Sequence, residues 1–181
     1  MDSMRFKRWL AGVATALILP ACGGGPSGQK QQAPVPTDPG IETFASEGQE
    51  HVPVGTVIDY KTDPPTSGPH YPDPQDGGFF DHEIAAGYLV HSMEHGGVII
   101  YYSPAVTGDD KKALQKLAKQ HPGSFDQVIC VPRNDPTYPI ILTAWTHRLR
   151  LTAYDQDRID GFVALYLGNG PEHATMDGDG H

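Results

Sequence analysis

Val90-His-Ser-Met-Glu-His-Gly-Gly97 runs directly into Val98-Ile-Ile-Tyr-Tyr102. Two imidazoles, a thioether and a carboxylate fall within five residues, just ahead of an unbroken apolar run. A run without alternation reads as a strand covered on both faces, central in its sheet. It extends over Val98–Ser103. The stretch Gly87–Ser92, with Tyr88-Leu-Val-His91 at its centre, reads as the strand before it. Met93-Glu-His-Gly-Gly97 then becomes a hairpin connection, with Gly96 and Gly97 free to take positive φ.

His91 and His95 fare differently in each conformation of this stretch. On a helix they share a face at i, i+4 and could chelate one ion, but the glycine pair and the neighbouring β-branched residues speak against a helix. On one straight strand, about 3.3 Å per residue sets them roughly 13 Å apart, too far for a shared ion. Flanking a tight hairpin, they come within about 5 Å of each other. The hairpin is therefore the expected geometry.

Outward from this segment, Asp63-Pro-Pro-Thr-Ser-Gly-Pro-His-Tyr-Pro72 and the residues to Gly78 are too rich in proline and glycine for a helix or a central strand. They form a long, shaped loop that carries His70 on restrained backbone. His51 precedes a short β-prone run, Thr56–Tyr60. Downstream, Asp109–His121 is an amphipathic helix with Ala113, Leu114, Leu117 and Ala118 on one face. Thr107 or Asp109 can cap it, and Pro122-Gly123 stops it. Gln127–Val131 and Pro139–Thr146 read as strands. Asp155 caps a last helix through Leu167, with Ile159, Phe162, Val163 and Tyr166 inward. The fold class expected is a single small α+β domain. It has a roughly four-stranded, mainly antiparallel sheet, two helices and the long Pro/Gly-rich loop.

The chain has 181 residues, enough for one such domain over residues 41–168. Its first 21 residues read as an export signal: Arg5, Lys7 and Arg8, then the apolar Trp9–Leu19, then Leu19-Pro-Ala-Cys22. That ending resembles a bacterial lipobox, which would place a lipid on Cys22. Residues 22–40 are a Gly/Pro/Gln tether, and residues 169–181 a polar tail containing His173, Met176 and His181. The expected location is the exported side of a bacterial cell envelope, with the membrane as partner through the N-terminal lipid. No protein partner is legible. A net charge of −9 argues against nucleic acid, whose phosphates need a clustered basic surface. Cys130, in an apolar strand, reads as buried and inert.

Nine histidines in an acidic chain suggest ligands rather than charge. His70, His91 and His95 are the expected metal ligands, with His51, Glu94 and Met93 as further candidates. Imidazoles with a carboxylate suit zinc, copper, nickel or iron, and the Met93 thioether tilts the choice to copper, with zinc next. The role expected is binding or handling of the ion. An enzyme with Glu94 as base is the alternative, although no H-E-x-x-H, G-x-S-x-G or P-loop is present. A metal-free interaction module, with histidines bracing the loop through hydrogen bonds, is a further one.

Pro64-Pro-Thr-Ser-Gly-Pro-His70, Val90-His-Ser-Met-Glu-His-Gly96 and Leu142-Thr-Ala-Trp145 together resemble a bacterial family of secreted or membrane-tethered domains of unknown function. Its pattern is a P-P-x-S-G-x-H loop, an H-S-x-E-H-G turn and a later L-T-A-W strand, and the likeness spans residues 45–168. The resemblance implies a shared fold and no activity. It places His70, His91, Glu94 and His95 on motif positions and Met93 on the motif's variable position.

Overall fold

A computed structural model describes residues 40–172. The proposed signal, Cys22, the tether up to residue 39, and His173, Met176 and His181 lie outside the described residues. The element order is β1 (Ile41–Thr43), β2 (Gly78–Phe79), α1 (Ala86–Glu94), β3 (Val98–Tyr102), α2 (Gly108–Gln120), β4 (Val128–Pro132), β5 (Ile140–Ala144), β6 (His147–Leu151) and α3 (Gln156–Tyr166). The strands form one sheet in the order β1-β6-β5-β3-β4-β2.

The fold is α+β, but among the described residues the sheet is six-stranded and mixed, and there are three helices. β3 and β4 run parallel because their connection carries α2 across one face of the sheet. β5 pairs antiparallel with β3, and β6 with β5. The expected strand Pro139–Thr146 ends at Ala144 and returns as β6 through a turn at Trp145-Thr146, where Thr146 takes φ 61°. β1 and β2, short strands at the two edges, were not expected. Thr56–Tyr60 is not a strand.

β3 is central, as its composition required, and all five of its residues are buried. Alternate residues supply two apolar layers. Val98, Ile100 and Tyr102 face α2 and α3, meeting Leu114, Ala118, Ile159, Phe162 and Val163. Ile99 and Tyr101 face α1, meeting Leu89, Val90 and Met93. The second layer also receives Tyr60, Phe80 and Trp145. The Asp155 side chain accepts from the Arg158 N–H and caps α3, as expected. Cys130 is fully buried, and burial pushes its thiol pKa well up.

The largest correction concerns Gly87–Ser92. It is helix, not the first arm of a hairpin. Gly96 and Gly97 act as a helix stop. The Gly97 N–H donates to Ser92 O at 2.7 Å, and the Gly96 N–H to Met93 O at 3.0 Å. This 6→1 and 5→2 pair is a Schellman motif, with Gly96 at φ +94°. The same positive-φ capacity that suits a hairpin turn therefore ends a helix here.

Candidate metal centre

α1 packs its apolar side on the sheet and turns its polar side toward the Pro-rich loop. That loop is held shut by its own side chains. The Ser67 hydroxyl accepts from the Glu47 N–H at 3.0 Å, and the Tyr60 hydroxyl donates to Pro69 O at 2.8 Å. Gly68 sits at φ +124° against the Tyr60 ring, where a Cβ would lie 3.2 Å from ring carbons. A parallel bridge ties the loop to the His51 segment: the His70 N–H donates to Glu50 O, and the Val52 N–H to His70 O. The P-P-x-S-G-x-H pattern thus becomes a rigid platform for one imidazole.

Three rings meet on that platform. The centroids of His51, His70 and His91 stand 4.9, 5.0 and 4.9 Å apart, an almost equilateral triangle. Glu94 lies one helical turn beyond His91, its Oε2 2.9 Å from His70 Nε2 and 3.9 Å from His51 Nε2. His95 follows on the same side, its Nε2 3.0 Å from His91 Nε2. His70, His91 and Glu94 are buried, while half of the His51 side chain is exposed. Donor atoms of His51, His70, His91 and Glu94 all lie within 4.8 Å of one another. The same holds for a second set, His91, Glu94, His95 and Glu172.

Hydrogen bonds orient these rings. The Nδ1–H groups of His70, His91 and His95 donate to the carbonyls of Gly68 (2.8 Å), Tyr71 (2.7 Å) and Ser124 (3.3 Å). A carbonyl only accepts, so Nδ1 carries a proton, and Nε2 is the ring atom left to hold an ion. Those three Nε2 atoms are the ones turned into the cluster. Burial is the main influence on His91 and lowers its pKa. The Tyr71 carbonyl opposes that, while the neighbouring His95, His70 and His51 reinforce it. Burial thus favours the neutral form of His91, whose Nε2 stands 3.0 Å from His95 Nε2.

One consequence is an unmet need. His70 Nε2 is fully buried and, although close to Glu94, makes no hydrogen bond of acceptable geometry. Leaving such an atom unpaired costs about 1–3 kcal/mol. A cation at the centre would satisfy it. Around an ion with bonds near 2.1 Å, tetrahedral ligand atoms sit about 3.4 Å apart. The separations of 2.9 and 3.9 Å from Glu94 Oε2 to His70 Nε2 and His51 Nε2 bracket that value.

The structure brings together five of the six expected ligands, His51, His70, His91, Glu94 and His95. It does so with His91 and Glu94 on a helix and His95 at its C-cap, not across the hairpin that was expected. Met93 is the exception. It is fully buried within the apolar layer of Leu89, Val90, Ile99, Tyr101 and Ile129. Only two positions from His91 on a helix, it points away from the imidazole side. The preference for copper through a soft thioether loses its footing with it. Glu172 was missed. It belongs to what was expected to be a polar tail, and no spacing rule in the sequence connects it to His95. A cleft of about 420 Å³, lined by Tyr60, Asp63, Leu89, Tyr101 and Arg133 among others, includes none of the cluster residues in its wall.

Fold and site together describe an α+β domain that presents a buried histidine–carboxylate cluster. The chain belongs to the family described as "Protein of unknown function (DUF3105)", whose model matches residues 51–178. That span contains His51, both histidine motifs and Glu172. No curated protein and no solved structure matches the chain.

Proposed function

We propose that this is an envelope lipoprotein whose domain binds a divalent transition ion through His51, His70, His91 and Glu94, with His95 beside them. The carrying observation is the fully buried, unpaired Nε2 of His70, set among other Nε2 lone pairs whose Nδ1 partners are backbone carbonyls. A ring nitrogen donating to a carbonyl is the usual outer support of a metal-bound imidazole. Nitrogen and oxygen donors without sulfur favour zinc(II), copper(II), nickel(II) or iron(II) over copper(I). Handling or sensing the ion fits the inner set, where His70, His91 and Glu94 are buried and His51 alone is half-exposed. The lipid on Cys22 would hold the domain on the exported side of the membrane. Among the described residues, no helix is long and apolar enough to cross a membrane.

The test is metal content and affinity of protein purified without an affinity tag, compared with His91→Ala plus His95→Ala. At least a 100-fold loss of affinity is expected, above the range typical of changes outside the ligand shell. Equal and negligible metal in both would end the proposal.

A further inference from the structure

We infer that the cluster holds two divalent ions rather than one, with Glu94 bridging them and Glu172 as a ligand of the second. This rests on the metal-binding reading above and deepens it.

Six side chains form two overlapping four-residue sets, which share His91 and Glu94. An imidazole whose Nδ1 carries a proton offers one lone pair, so His91 can serve only one ion. A carboxylate offers two oxygens and can serve both. The triangle of His51, His70 and His91 assigns those rings to the inner ion, and one Glu94 oxygen completes a four-coordinate shell. His95, Glu172 and the other Glu94 oxygen remain for an outer ion. Bridged pairs of this kind stand about 3.5–4 Å apart.

The outer set is built independently of the inner one. The His95 ring is oriented by Ser124 O and stacks on Phe125, with centroids 4.7 Å apart and planes at 11°. Glu172 is brought in by the chain leaving α3. The Gly168 N–H donates to Gly96 O at 2.8 Å, and the Glu172 N–H to Glu94 O at 3.2 Å. Its Oε2 ends 2.5 Å from His95 Nε2. Gly96 admits this approach because a Cβ there would lie 2.8 Å from the Gly168 Cα. With three protein ligands, the outer ion keeps open positions for water or a small oxyanion. The inner ion is closed, and this division is that between a structural and an exchangeable site. The carboxylate-rich outer set favours zinc, manganese or iron over soft ions.

Calorimetric titration of the untagged full chain with Zn(II), together with native mass spectrometry, reads the stoichiometry. Two zinc ions per chain are expected. Glu172→Gln, near-isosteric and checked for an unchanged melting temperature, should bind one or lose the second at least tenfold. His173→Ala plus His181→Ala should still bind two. One ion in the unaltered chain overturns the two-ion inference and leaves the metal-binding reading standing, whereas no ion overturns both. Two ions at unchanged affinity in Glu172→Gln overturn the inference, as does loss of the second ion with the tail histidines alone. Copper(II) resonance gives a second readout. An isolated-ion signal at one equivalent should give way to a coupled signal at two, and two isolated signals would contradict the bridge.

Discussion

The two faces of the central sheet use the same strands for opposite purposes. Toward α2 and α3, alternate residues of β3, β4, β5 and β6 join one apolar layer of sixteen buried side chains. Toward α1 and the Pro-rich loop, the apolar layer has eight, and beyond it lie Thr66, Ser67, His70, His91, Ser92 and Glu94, all buried. Apolar burial, at roughly 25 cal/mol per Å², therefore accumulates mainly on the first face. The second face carries polar groups whose burial is unfavourable unless each finds a partner. One face supplies stability, and the other spends it on a preorganised cluster.

That contrast can be broken first in the core. Phe162→Ala, on the α3 face, should cost about 3–5 kcal/mol in denaturant unfolding and leave metal stoichiometry of the folded fraction unchanged. His70→Ala should do the reverse. It removes a ligand candidate and an unpaired buried nitrogen together, so metal affinity should fall at least 100-fold while metal-free stability changes by no more than about 2 kcal/mol. If His70→Ala destabilised the metal-free protein as much as Phe162→Ala, the division of labour between the faces would be wrong.

Gly68→Ala tests the loop alone. Its φ of +124° and the Tyr60 ring leave little room for a Cβ, so about 1–3 kcal/mol of destabilisation is expected, with weaker metal binding alongside. Unchanged metal affinity would show that the loop's shape is not what positions His70.

A smaller, pH-dependent effect concerns the brace at the edge of the sheet. Arg148 donates to Glu42 Oε2 at 3.0 Å and to Asp63 O at 2.8 Å, joining β1 and β6 to the base of the loop. The hydrogen bond from Arg148 is the main cause of a lowered Glu42 pKa. Partial burial opposes it, and the charges of Arg148 and Arg150 add to it. A carboxylate with a depressed folded-state pKa stabilises above its unfolded value and loses that contribution as pH falls through the folded one. Thermal stability should thus decline below about pH 4.5, and Glu42→Gln should flatten that part of the profile. A profile identical in the variant would remove Glu42 from the account.

Much of the α2/α3 face was readable in the sequence, because it follows from periodicity. Val98–Tyr102 is a covered strand, Leu114 and Ala118 lie on one side of a helix, and Ile159, Phe162 and Val163 on another. β6 was missed although His147-Arg-Leu-Arg-Leu151 alternates, because its turn at Trp145-Thr146 has neither glycine nor asparagine. The polar face was less legible. α1 resisted because a glycine pair ahead of a β-branched run serves a hairpin and a Schellman stop equally well, and only tertiary packing chooses between them. The cluster's members were nevertheless visible as residue types, since His91, Glu94 and His95 fall within five residues and His70 ends a loop whose prolines restrain the backbone. Glu172 was invisible because its place depends on backbone pairing between Gly168 and Gly96, which no local pattern encodes.

X-ray absorption at the metal edge of the untagged protein loaded with one equivalent of zinc tests the convergent ring nitrogens most directly. The account predicts a nitrogen/oxygen shell near 2.0–2.1 Å with the outer-shell scattering of about three imidazoles on the inner ion, and no sulfur near 2.3 Å. A sulfur shell, or an oxygen-only environment without imidazole scattering, would contradict it.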